Sequence, residues 1–373
     1  MTNLRVYLFN LRPESIKMKK HNFNSGPSIL PQSVMQQASE AIIEFNNTGL
    51  SILEIGHRTP FFIEVMEEAR ALVKELMQLD DSYDVMFLQG GATTQFMQIP
   101  MNLLDSDETA AYCDDGVWGS KAIKEASLFG KADVVASSKD KGYTYLNKGF
   151  SVSSTAKYLH ITSNNTVEGT QYFAAPDVSV PLVADMSSDI FSRQMDFSKY
   201  SLIYAGAQKN MGAAGVTVVI VKKDILGKIK RPIPSIMDYR KHIEAGSLMN
   251  TPPVFAVYVA LLTLRWIKES GGLAVMEKSS LEKSTLLYNT IDSLPVFTSK
   301  IAVEDRSRMN AVFFLNDNNL EAPFLDLCKK EGMVGVKGYR TVGGIRVSMY
   351  NALPLESVVA FTDLMKHFAV VSG

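Results

Sequence analysis

Between residues 34 and 265, short apolar runs alternate with segments of helical period, and this alternation limits the fold more than any other feature. Val34 to Phe45 and Phe62 to Leu79 place apolar residues at helical spacing. Asp84 to Leu88 reads as a short strand, followed by Gln89-Gly90-Gly91-Ala92-Thr93-Thr94 and an apolar helical segment from Phe96. Further strands are read at Thr109 to Tyr112, Tyr158 to Thr162, Val180 to Ala184, Ser201 to Tyr204 and Val216 to Val221. The run Val216-Thr217-Val218-Val219-Ile220-Val221 lacks polar alternation, as a strand covered on both faces would. Strands of this kind separated by helices predict a large α/β domain with a mostly parallel central sheet.

A helical pattern from Pro253 to Glu269 stops at Gly271-Gly272, and the arrangement then changes. After a helix from Met276 to Ser293, the segments Asn310 to Leu315, Pro323 to Lys330, Gly344 to Met349 and Leu355 to Phe368 read as strand, helix, strand, helix. The expected division is a large domain over 21–270, whose first residues are free to pack on its neighbour, and a smaller C-terminal α/β domain over 271–373. Residues 1–20 carry Arg5, Arg12, Lys17, Lys19 and Lys20 against Glu14, with no apolar core or cleavage site of a secretory signal. They are read as a disordered or artefactual extension, with Met18 as a candidate start.

Composition removes several functions. Lys+Arg number 38 and Asp+Glu 39, a formal charge of -1 that offers no basic excess for a nucleic acid. The longest nearly apolar run, Val254 to Leu264, is well short of the roughly 20 residues that span a bilayer. Two cysteines, Cys113 and Cys328, build no disulfide scaffold and suit a reducing, cytoplasmic setting. His21, His57, His160, His242 and His367 follow no metal-ligand spacing, so no metal is expected.

Lys209 lies in Ala205-Gly206-Ala207-Gln208-Lys209-Asn210, between two strand-like runs and among small neighbours. Desolvation there would lower its pKa and make it a nucleophile toward a carbonyl. The same segment also suits a solvent-facing turn lysine, and spacing alone does not choose. Asp185 stands at the C-terminal end of the strand Pro181-Leu182-Val183-Ala184, where open α/β sheets bind ligands. It also suits a cap of the following turn. Together, a lysine for a Schiff base and an acid for a pyridinium nitrogen meet the minimum for pyridoxal phosphate chemistry. Gly90-Gly91-Ala92-Thr93-Thr94 offers backbone N–H groups and hydroxyls to an anion at a helix N-terminus. Trp118 is either a stacking partner for a ring or a core residue.

Several segments carry a resemblance: Asn24-Ser25-Gly26-Pro27, Gly56-His57-Arg58-Thr59, Phe87-Leu88-Gln89-Gly90-Gly91, Gly206-Ala207-Gln208-Lys209-Asn210, Asn250-Thr251-Pro252-Pro253 and Gly343-Gly344-Ile345-Arg346-Val347-Ser348-Met349-Tyr350-Asn351-Ala352. From about His21 to the C-terminus the chain resembles the phosphoserine aminotransferase family, class V members of the fold-type I pyridoxal 5'-phosphate (PLP)-dependent transferases. The resemblance implies a cytoplasmic homodimer with each active site at the subunit interface. Lys209 would be the Schiff-base lysine, Asp185 the partner of the pyridine nitrogen, Trp118 the stacking ring and Thr166 the partner of the ring hydroxyl. Ala92, Thr93 and Gln208 would hold the cofactor phosphate, with Asn250 and Thr251 reaching it from the neighbouring subunit. Arg346 would clamp the substrate α-carboxylate, and His57, Arg58 and Arg340 would serve the side-chain phosphate or carboxylate.

The implied reaction moves an amino group between glutamate and 3-phosphohydroxypyruvate in serine biosynthesis; relatives also aminate a phosphorylated precursor in pyridoxine synthesis. Two departures stand out: Tyr339 precedes Arg340 where many relatives carry histidine, and Ala92-Thr93-Thr94 replaces a charged or thiol-bearing loop. The alternatives are a glyoxylate-type aminotransferase, a desulfurase or a non-catalytic scaffold. A desulfurase is disfavoured because Cys328 falls in the helical pattern Phe324 to Lys330.

Overall fold

The computed structural model describes residues 19–372, so the reading of residues 1–20 as an extension falls, up to residue 18, outside the described residues. In chain order the first elements are β1 (His21–Asn22), α1 (Gln32–Ile43), α2 (Pro60–Met77), β2 (Tyr83–Leu88), α3 (Gly91–Leu103), β3 (Thr109–Asp114), α4 (Val117–Ala126) and β4 (Lys131–Ser137). Then come β5 (Leu159–Thr162), β6 (Leu182–Asp185), β7 (Leu202–Gly206), β8 (Thr217–Lys222), α5 (Tyr239–Glu244) and α6 (Val254–Glu269). The remainder is α7 (Gly272–Ser293), β9 (Phe297–Thr298), β10 (Asn310–Leu315), α8 (Glu321–Lys330), β11 (Met333–Val334), β12 (Ile345–Ser348) and α9 (Leu355–Ser372).

The central sheet has seven strands in the order β2-β8-β7-β6-β5-β3-β4. Only β8 runs against its neighbours β2 and β7, and the other pairings are parallel. Val218 and Ile220 enter the core shared with α1, α2 and α6, while Val219 and Val221 enter the opposite core with α3 and α4. Alternate side chains of β8 therefore bury against helices on both faces, which is why Val218 to Val221 is an unbroken apolar run.

Besides the short elements β1, α5, β9 and β11, which the sequence reading lacks, three elements depart from it. The helix expected from Phe96 begins at Gly91, after Gly90 at φ +95°, so Ala92 and Thr93 lie in its first turn. Trp118 sits on α4, a helix concealed in the sequence by Gly116 and Gly119. Strand β4 forms the sheet edge and is largely exposed, so its sequence lacks the apolar run of its neighbours.

After α6, Gly271 and Gly272 take positive φ and the chain turns into α7. Leu273 and Met276 of α7 join the first core, whereas Leu287 and Ile291 join a separate core with β10, β12, α8 and α9. Strand β10 lies between β12 and β9 in an antiparallel sheet. Strand β1 pairs in parallel with β11, and Phe23 packs into this second core. The N-terminal segment is thereby fixed to the C-terminal unit before it crosses toward the large sheet.

Lys283 of α7 is fully buried, and its ammonium donates to the carbonyls of Tyr350 and Leu353 at 2.8 and 3.1 Å. Burial lowers its pKa to about 8. Lys283→Ala should cost about 2–4 kcal/mol in denaturant unfolding, through the lost packing and two unpaired carbonyls. Because the folded pKa lies below that of the unfolded chain, the unfolded state binds more protons between pH 8 and 10.5. Native stability of the parent chain should therefore rise across that window relative to Lys283→Ala; a constant gap would show that Lys283 does not titrate there.

Candidate active site

Five parallel strands deliver their carboxyl ends to one place. The first turn of α3 follows β2, Trp118 follows β3, Thr166 follows β5, Asp185 ends β6, and Gln208-Lys209 follow β7. These loops enclose a cavity of about 290 Å³ lined by Ala92, Thr93, Trp118, Thr166, Asp185, Gln208, Lys209 and Arg346. That volume is at the lower end of ligand sites, roughly 300–1,000 Å³.

The Lys209 ammonium donates to Thr166 Oγ1 at 2.7 Å and lies 5.8 Å from the centre of the Trp118 ring. Desolvation lowers its pKa to about 8; Asp185 opposes the fall, and the Arg346 charge adds to it. Some of this amine is thus neutral near pH 8, the form that attacks a carbonyl. Close packing holds the stem: a side chain at Gly26, whose φ is +136°, would meet Lys209 Cγ at 3.2 Å. The Ser28 hydroxyl donates to the Lys209 carbonyl.

Asp185 is buried, and its Oδ1 accepts the Ser187 N–H at 2.9 Å. Burial pushes its pKa up, while Lys209 and the Ser187 donor pull it back. A cationic ring nitrogen beside it would restore the ionised form.

Helix α3 starts without a side-chain cap, so the N–H groups of its first turn are free to meet an anion. The Cβ of a residue replacing Gly90 would fall 2.1 Å from Thr94 Oγ1. The Thr94 hydroxyl donates to the Gly90 carbonyl at 2.9 Å, which keeps the turn tight.

Arg346 reaches in from β12. Its Nη2 donates to Ser25 Oγ at 2.8 Å, and its guanidinium lies 5.8 Å from the Tyr339 ring centre. Arg346 Nε and Trp118 Nε1 are buried donors with no hydrogen-bond partner among the described residues. An amine on a strand end, a buried carboxylate, an uncapped helix N-terminus and these two orphaned donors fit PLP with a carboxylate guest.

The other expected residues stand apart. His57 is half-buried with Nε2 unpartnered, Arg58 and Arg340 are exposed, and none of the three lines the cavity. Asn250 and Thr251 also lie outside it; the Thr251 carbonyl accepts from Gln89 Nε2 at 2.7 Å. Ser25, Gly26, Ser187 and Tyr339 line the cavity but were not read as site residues. Ser25 and Gly26 lay within the Asn24-Ser25-Gly26-Pro27 segment, and Asp185-Met186-Ser187 has the spacing of an aspartate turn, so both signals were present. Among the described residues no group of His, Cys, Asp or Glu is arranged for a metal ion, and no helix is long and apolar enough to cross a membrane.

The model of the family described as aminotransferase class-V matches residues 20–361. A phosphoserine aminotransferase of Flavobacterium johnsoniae is 55% identical over 350 residues, covering 94% of this chain and 98% of that protein. One from Parabacteroides distasonis is 52% identical over 353 residues, covering 94% and 99%. Among solved structures, phosphoserine aminotransferase from Bacillus circulans subsp. alkalophilus superposes with a TM-score of 0.93 at 43% identity, covering 95% of this chain and 99% of that one. The PLP-bound phosphoserine aminotransferase of Trichomonas vaginalis gives a TM-score of 0.87 at 34% identity, covering 93% and 100%.

Asp185→Asn removes the negative charge that holds the Lys209 pKa up. In cofactor-free protein, labelling of Lys209 by an amine-reactive reagent should follow a titration displaced to lower pH. A midpoint unchanged from the parent would mean that the two groups are not coupled.

Proposed function

Because this chain belongs to the class-V aminotransferase family, we propose that its cavity exchanges an amino group between glutamate and 3-phosphohydroxypyruvate, forming O-phosphoserine and 2-oxoglutarate in serine biosynthesis. The observation that carries this reading is the convergence of Lys209, Asp185 and Arg346 on one cavity beside an uncapped helix N-terminus. The same chemistry would extend to a phosphorylated precursor in pyridoxine synthesis, whose anionic groups are alike.

When bound, PLP supplies an electrophilic carbon and an electron sink for the carbanion formed at the amino acid Cα. Lys209 Nζ would be the tethering amine and, once freed, the base that takes the proton from the amino acid Cα and relays it to a second carbon; its lowered pKa suits both tasks. Asp185 would hold the ring nitrogen in its protonated form. Thr166 Oγ1, which accepts from Lys209 Nζ, would meet the ring hydroxyl. Trp118 would cover a ring face and exclude water. Ala92, Thr93 and Gln208 would hold the phosphate with neutral donors at the positive end of α3. Arg346 presents a planar fork to the α-carboxylate.

We further assign a homodimer, a cytoplasmic location and a division into units 21–270 and 271–373. A second copy would bring Asn250 and Thr251, which lie outside their own chain's cavity. Arg58 and Arg340 are exposed cations able to meet a substrate phosphate once subunits associate. Cys113 and Cys328 are free and buried, as in a protein kept reduced.

Lys209→Ala should abolish the visible absorbance of bound PLP and reduce turnover by at least about 10³-fold. Full activity in that variant would overturn the assignment. Arg346→Ala should lose roughly 10²-fold or more in kcat/KM toward both glutamate and phosphoserine. An effect confined to one substrate would place the α-carboxylate clamp elsewhere. With glyoxylate and alanine as the competing pair, turnover exceeding that with phosphoserine would favour the glyoxylate-type reading.

A further inference from the structure

Glu168 lies two residues beyond Thr166 in the loop after β5, and amino transfer gives it no task. Its Oε1 accepts the Val117 N–H at 2.8 Å, at the start of the helix that carries Trp118. Its Oε2 is buried and has no hydrogen-bond partner among the described residues. Asn165 Oδ1 is likewise buried and unpartnered, while Asn165 Nδ2 donates to Thr170 Oγ1 at 3.0 Å. A Cβ placed on Gly116 would fall 2.7 Å from each of these two oxygens, so both converge on Gly116. Two buried acceptors beside the same glycine, each without a hydrogen, are unfavourable, and a single proton shared between them would satisfy both.

We propose that Glu168 is a positioning residue that works as a neutral carboxylic acid: Oε1 accepts from Val117 N–H, and the proton on Oε2 is donated to Asn165 Oδ1. The clasp ties the first turn of α4 to the loop of Thr166. It sets the spacing between Trp118 and Thr166, and it rests on the reading that these two side chains meet the cofactor ring. The charged groups around it come from several elements. Arg346 on β12 favours the ionised form, and Asp114 on β3 disfavours it. Lys209 beyond β7 and the Tyr143 hydroxyl, which bonds Asp114, also feel its charge. Burial outweighs these and raises the carboxyl to about 7.

The unfolded carboxyl titrates near 4.5, so between that pH and about 7 the native state binds more protons. Clasp stability is therefore present at low pH and lost as pH rises through the folded pKa. Glu168→Gln keeps one acceptor and supplies a donor that does not titrate.

The test melts wild-type and Glu168→Gln chains, each with and without PLP, from pH 5 to 9. The glutamine chain should gain about 3–5 °C over wild type between pH 5 and 8 and then level off. PLP affinity should be retained by Glu168→Gln and fall at least tenfold in Glu168→Leu at pH 6, with Trp118 emission altered in the latter. A melting difference that stays flat with pH would overturn the proposal; it would mean that Asn165 is turned to donate from Nδ2 to an ionised Glu168. Equal PLP affinity in Glu168→Leu would overturn the positioning role. Wild-type protein that takes up no PLP would instead sink the aminotransferase reading, and a pH-dependent melting difference would still support the clasp.

Discussion

The electrostatic coupling between Lys209 and the buried Asp185, which line one cavity, is the constraint around which the rest of the site is arranged. Asp185 ends β6 and Lys209 follows β7, and these strands are parallel neighbours with Asp185 opposite Tyr204 in register. Burial works against both charges, lowering the lysine pKa and raising that of the aspartate, while each group opposes the shift of the other. Removing either charge would leave the other uncompensated in a dry site. Beneath Asp185, His160 Nε2 lies 2.9 Å from the Tyr204 hydroxyl, and burial lowers the histidine pKa to about 3. The imidazole therefore stays neutral at physiological pH and adds no competing charge.

A second constraint joins the smaller core to this pair. Arg346 has to point into a cavity built by the other sheet, and apolar packing alone would leave its register loose. Polar side chains set it instead. Asn164 Nδ2 donates to Asn310 Oδ1 at 2.8 Å, and the Tyr350 hydroxyl donates to the Ser25 carbonyl at 2.9 Å. Ser25 Oγ in turn accepts from Arg346. These bonds, one buried and two part-buried, are directional, so together they favour one placement of β12 against the loop of Thr166. Lys283 extends the same arrangement by holding the turn that contains Tyr350.

What the sequence disclosed follows from which signals are local. Strands β5 to β8 are legible because burial on both faces makes them mostly apolar, and Lys209 and Asp185 can then be placed at strand ends. Strand β4 was hidden because an exposed edge needs no such run. The start of α3 was hidden by a glycine pair at positive φ, which resembles any tight turn. The pairing of β1 with β11 joins residues about three hundred positions apart and has no local signature. Glu168 was invisible for another reason: its environment depends on Gly116 and Asn165 meeting it in three dimensions. His57, Arg58 and Arg340 carry the right chemistry, but spacing cannot say whether they serve their own chain's cavity.

The near-neutral chain charge sharpens that last point. Lys209 and Arg346 are the cationic side chains lining the cavity, and in the proposed reading Lys209 is taken up by the cofactor. The first turn of α3 can neutralise an anion through N–H donors and the helix dipole without a formal charge. That leaves Arg346 to meet a substrate carboxylate, and a dianionic phosphate on the same substrate still needs a cation. Tyr339 can donate one hydrogen bond there but brings no charge. In the proposed reading that requirement falls on two exposed arginines outside the cavity lining, Arg340 and Arg58. Under the proposed assignment, the fold of one chain would supply the chemistry of amino transfer, while discrimination between a phosphorylated and a plain substrate would draw on the proposed second copy.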